Sequence, residues 1–147
     1  MFHVEQKIKD MEINFFYENI NSFNLNSKVD MWIEQTVQNE NKQVGEINVI
    51  FCSDEHLLKM NIEHLEHDFY TDIITFDYSE KEIVSGDLFI SKDRVEDNAN
   101  KFKEPFEKEI HRVIIHGVLH LLGYNDKTEI EQKQMRGKEN FYLDKLM

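Results

Sequence analysis

Hydrophobic and polar positions alternate along this chain with two different periods, and the changes of period mark its elements. Residues 12–17 (EINFFY) are rich in β-favouring side chains and read as a first strand. From Ser27 to about Glu40, Val29, Ile33 and Val37 recur at helical spacing, with Ser27 as the expected cap. Val44–Cys52 alternates and then ends in an apolar run, a second strand, and Ser53–Glu55 opens a helix carrying Leu57, Leu58 and Met60. Thr71–Phe76 (TDIITF) and Asp87–Ile90 (DLFI) are two more strands, joined by a polar stretch that suits a hairpin.

Helical spacing returns at Ser91. Pro105 fits the first turn of a long helix through Phe106, Ile110, Val113, Ile114 and Leu121, because its missing N–H costs nothing there. Gly123 is placed to end that helix, and Thr128 with Glu131 forms a capping box for a last helix through Met135 toward Leu143. Strands early and helices late predict an α+β fold: a mixed four-stranded sheet packed with helices. With one proline, five glycines and no repeat or linker, residues 1–147 are expected to form one domain.

Composition narrows the setting. The single cysteine, Cys52, allows no internal disulfide, and the N-terminus lacks the pattern of an export leader, so a reducing cytoplasmic location is expected. Apolar runs are short and broken by charges, which argues against a membrane span. The net charge of −12 is unevenly spread: residues 1–99 carry a net −13 and residues 100–147 a net +1. An acidic surface speaks against a general polyanion binder, yet the near-neutral C-terminal third leaves room for a local phosphate contact.

That third also carries the candidate chemistry. In HGVLHLLGYND, His116 and His120 are one turn apart on one helical face, so two imidazoles can reach one ion. Gly123 lets the chain turn back, and three residues later Asp126 offers a carboxylate. Two histidines and a carboxylate make a normal catalytic zinc set, with a fourth position left for water. The spacing is that of the metzincin motif, but Gly117 stands where HExxH peptidases carry their general base, which argues against a peptidase.

Three blocks resemble the YbeY family of rRNA maturation factors: MNIEHLEHDFYTDIITF (Met60–Phe76), GDLFIS (Gly86–Ser91) followed by Val95, Asn98 and Ala99, and HGVLHLLGYND. The resemblance implies a zinc-dependent, single-strand-directed endoribonuclease of small-subunit rRNA processing and ribosome quality control, with RNA, the ribosome or ribosomal proteins as partners. Two positions depart from the family pattern. Asp126 stands where the family's third ligand is usually histidine; a carboxylate adds negative charge and opens the choice of ion from Zn2+ toward Mn2+ or Fe2+. Leu65, beside His64, stands where the family carries an arginine associated with activity. Arg112, one turn before His116, is the expected substitute, the alternative being a surface pair with Glu109.

Asp72, at the start of a strand, could orient a ligand or act as a base, or could simply bind backbone N–H groups; Asp87 carries the same ambiguity. His64 and His67 could contact RNA, and Tyr70, Tyr78 and Tyr124 could stack on bases. His3, His56 and His111 have no supporting constellation. Besides the endoribonuclease, a non-catalytic ribosome-assembly factor with a structural metal stays open, and a metallopeptidase is the third reading.

Overall fold

The structure, a computed structural model, describes residues 11–65 and 71–146, with only the backbone of Leu65. In chain order the elements are β1 (Glu12–Glu18), α1 (Val29–Asn39), β2 (Gln43–Cys52), α2 (Asp54–Met60), β3 (Ile73–Asp77), β4 (Ile83–Ser91), α3 (Lys92–Phe102), α4 (Phe106–Leu121) and α5 (Glu129–Leu146). A π-helical turn, Asn61–Leu65, extends α2.

The sheet has the order β1-β2-β4-β3. β1 and β4 both run parallel to β2, and β3 is antiparallel to β4, so the sheet is mixed and the β3–β4 hairpin forms as expected. Alternation along β2 sends Ile47, Val49 and Phe51 to one face, where they are fully buried with Leu88 and Ile90 of β4 against Ile33, Ile114 and Val118 of the helices. The run Val49–Cys52 is buried on both faces because α2 covers the other side, packing Leu57 on Cys52 and Ile74.

Side-chain caps mark the starts of α2, α3 and α5. Ser53 and Ser91 accept from the backbone N–H of His56 and Arg94, and Thr128 and Glu131 close their box with bonds of 3.0 and 3.1 Å. Ser27 is not the cap of α1: Lys28 takes that place without a side-chain bond, and the Asn26 side chain instead accepts from the Lys28 N–H. β3 starts two residues later than its apolar pattern, leaving Thr71 and Asp72 before the strand. The helical stretch from Ser91 breaks at Lys103, whose backbone is left-handed, before Pro105 restarts it as α4.

Gly117 sets how closely α4 lies on the sheet. A Cβ there would come within 2.7 Å of the Ile73 Cδ1 and 3.0 Å of both Leu88 Cδ atoms. The side of α4 just past His116 is therefore pressed onto β3 and β4, which turns His116 and His120 toward α5 and the loop between the two helices.

Candidate metal centre

α4 ends in a tight turn. Gly123 takes φ +103°, a conformation that favours glycine, and the N–H groups of Gly123 and Tyr124 return to the carbonyls of His120 and Leu119, each at 3.0 Å. The chain doubles back, and Gln132 of α5 holds the Asp126 carbonyl at 3.1 Å. The Asp126 carboxylate then lies 3.1 Å from the His116 Nε2 and 3.4 Å from the His120 Nε2, with the two nitrogens 3.0 Å apart.

Protonation is set by the partners on the far side of each ring. The Nδ1 of His120 is 2.9 Å from the Tyr124 carbonyl, which can only accept, so this nitrogen carries the proton. The Nδ1 of His116 is 2.7 Å from the Glu139 Oε2 and donates to it. In the neutral rings both Nε2 atoms are then bare acceptors, facing each other and a carboxylate oxygen. Three lone pairs this close repel one another unless a proton or a metal cation sits among them. A tetrahedral ion with bonds of about 2.0–2.1 Å has ligand atoms roughly 3.3 Å apart, close to the three separations here. His116, His120 and Asp126 therefore form a group that could hold one metal ion.

The carboxylates around His116 favour positive charge at this spot, whether a proton on the ring or an ion beside it. Burial by itself would make His116 harder to protonate, but the hydrogen bond and charge of Glu139, with Asp126 and Asp72, outweigh it and raise its pKa. Glu139 is raised by burial and lowered more by its bonds to His116 and Arg112, leaving it below the ordinary carboxylate range. Asp72 sits close enough to feel both His116 and Glu139; burial pushes its carboxyl up, and its backbone carbonyl takes the Ser91 N–H at 2.9 Å.

Arg112 is one turn behind His116, as its spacing implies, but its guanidinium meets Glu139 at 3.0 Å rather than Glu109. Beside the cluster opens a groove of about 640 Å³, walled by His116, Asp126 and the α5 residues Gln132, Lys133, Arg136 and Glu139. The Tyr124 hydroxyl donates to Glu40 at 2.7 Å. Asp87 accepts from Asn48 on the face of the sheet away from α4, and His111 is buried edge-on against Trp32. His56 pairs with Glu18, and His64 stands edge-on to Phe76. Tyr78 is exposed, and His3, His67, Tyr70 and the Leu65 side chain lie outside the described residues. Glu139 is the member of the site that sequence reasoning missed; the only local signal was a glutamate one turn after Met135, on the buried side of α5.

Fold and site together define a class: a mixed-sheet α+β protein with a two-histidine, one-carboxylate centre at the end of a buried helix. Residues 11–147 match the family described as Endoribonuclease YbeY. The Endoribonuclease YbeY of Christiangramia forsetii is 52% identical over 130 residues, covering 87% of this chain and 90% of that protein. Its namesake in Phocaeicola vulgatus is 54% identical over 109 residues, 74% of this chain and 79% of the relative. The solution structure of TM1509 from Thermotoga maritima superposes with a TM-score of 0.66 at 31% identity, covering 91% of this chain and 88% of that one. The chain belongs to the YbeY family.

Proposed function

We propose that this protein is a metal-dependent endoribonuclease that cleaves single-stranded RNA in the maturation of ribosomal RNA, with residues 1–147 acting as one domain. Membership of the family supports the RNA substrate, and the ribosome or its proteins are the partners that would present it. One observation carries the chemistry: three acceptor atoms, two Nε2 and one carboxylate oxygen, converge within 3.4 Å at the edge of an open groove.

His116, His120 and Asp126 would hold the ion, which we take to be Zn2+, with Mn2+ or Fe2+ as the alternatives that a carboxylate ligand admits. When bound, such an ion supplies Lewis-acid polarisation of a phosphoryl oxygen and makes water a better nucleophile near neutral pH. The remaining work belongs to the chain. Lys133 and Arg136, on the groove wall, are the cations placed to take the phosphates on either side of the cut. Asp72, near enough to His116 and Glu139 to feel their charges, is the candidate for proton transfer. Arg112, tied to Glu139, serves the site from behind His116 rather than by gripping phosphate.

The test is cleavage of a single-stranded ribosomal RNA fragment by protein carrying one equivalent of metal, beside His120→Ala. Cleavage that disappears in the variant, together with its metal, is expected. Metal-loaded wild type that binds ribosomes but leaves RNA intact would replace this reading with that of a non-catalytic assembly factor.

A further inference from the structure

The two histidines of the centre have their Nδ1 protons placed by different means. His120 lies in the last turn of α4 and uses a local acceptor, the Tyr124 carbonyl. His116 lies a turn deeper, where the neighbouring carbonyls are engaged in helical bonds, so its acceptor must come from another element. Glu139 of α5 supplies it from 23 residues away, with one carboxylate oxygen 2.7 Å from the His116 Nδ1 and the other 3.0 Å from the Arg112 Nη1.

The setting of Glu139 is unusual for an acid. Its side chain is 6% exposed, between Met135 and Tyr142 on the helix side that packs into the core. A carboxylate buried there is unfavourable unless both oxygens are paired, and a leucine would fill the space without that penalty. One oxygen orients an imidazole; the other is braced at 3.0 Å by the largely covered Arg112 guanidinium, with the exposed Arg136 farther off at 3.7 Å.

We propose that Glu139, braced by Arg112, is a positioning residue for the metal centre. It fixes the rotation of the His116 ring, keeps the proton on Nδ1 so that the Nε2 lone pair faces His120 and Asp126, and as an anion strengthens that lone pair as a donor. This rests on the reading of His116, His120 and Asp126 as metal ligands. It also gives Arg112 its role, which is exerted through Glu139 and requires no contact with RNA.

The experiment measures zinc affinity by competition with a chromophoric chelator for the wild type, Glu139→Gln and Arg112→Gln, with a thermal melt of each. Glu139→Gln keeps the shape and removes the charge. It is expected to fold and to lose about 10–100-fold in zinc affinity, the usual effect of removing a partner of a ligating histidine. Arg112→Gln should lose less. Folded Glu139→Gln that binds zinc as tightly as the wild type overturns the proposal alone, whereas a wild type that takes up no zinc overturns the metal-centre reading and the proposal with it. A second readout needs only the wild type: NMR of the zinc-loaded, 15N-histidine-labelled protein should show a far-downfield, exchange-protected His116 Nδ1 proton. Rapid exchange of that proton with water would also overturn the proposal.

Discussion

At the scale of single residues, two positions carry most of what distinguishes this centre. In the proposed metal site Asp126 would bring a formal charge to a donor set otherwise made of imidazoles, and charge in the donor set favours harder ions. Asp126→His removes it while keeping a ligand in place, so metal preference should narrow toward zinc, read as the ratio of zinc to manganese affinity. An unchanged ratio would mean that the carboxylate does not set selectivity. Gly117 is the second position. Its missing Cβ is what lets Ile73 and Leu88 approach α4. Gly117→Ala should lower stability by about 1–3 kcal/mol through overpacking, measured by denaturant unfolding. A glutamate there would point at the sheet rather than at His116, His120 and Asp126, so Gly117→Glu should create no peptidase activity.

At the scale of elements, the centre depends on how α1, α5 and the loop after α4 are tied together. Glu40, just past α1, accepts from the Tyr124 hydroxyl, the Tyr142 hydroxyl and the Lys138 ammonium, and so holds the loop that offers its carbonyl to His120. Burial alone would raise the Glu40 pKa, but the bonds from Tyr142, Tyr124 and Lys138 outweigh it and lower it. A carboxyl with a lowered pKa in the folded state adds stability that is complete above its unfolded value of about 4.3 and is lost as pH falls through the folded value. The wild type should therefore unfold at a higher temperature than Glu40→Gln at pH 7, and the gap should shrink below about pH 4. A gap independent of pH would show that the bonds from Tyr124 and Tyr142 matter through shape and not through charge.

At the scale of the whole molecule, the charge of −12 and the proposed RNA substrate are reconciled by position. The acidic excess of the sequence lies in residues 1–99, whereas the groove beside the centre is lined by α5, where Lys133 and Arg136 stand among Asp126, Glu129 and Glu139. Binding should therefore be local and depend only moderately on salt. For single-stranded RNA each phosphate contact contributes about 0.7 to the slope of log K against log salt. Replacing Lys133 and Arg136 by alanine should thus reduce that slope by roughly 1.4 if each contacts one phosphate. An unchanged slope would place the RNA elsewhere on the surface. No helix among the described residues is long and apolar enough to cross a membrane.

What the sequence determined by itself was local. His116, His120, Gly123 and Asp126 fall within one helix end and the turn after it, so helical periodicity and the conformational freedom of glycine bring them together without reference to the rest of the chain. The four strands, the hairpin and the Thr128–Glu131 box were legible for the same reason, each being written in a few neighbouring residues. Ser27 misled because several polar residues precede α1, and which of them caps depends on how the loop enters the helix. The tertiary structure alone decided the partners of the centre. Glu139 reaches His116 across 23 residues and Glu40 reaches Tyr124 across 84, pairings set by the rotation of α5 against α4 and of α1 against both. Helical spacing puts Arg112 one turn behind His116, but only the packing of α5 brings its charge to Glu139. Side-chain rotation of one helix against another is fixed by the whole core at once, and no short window of sequence contains it.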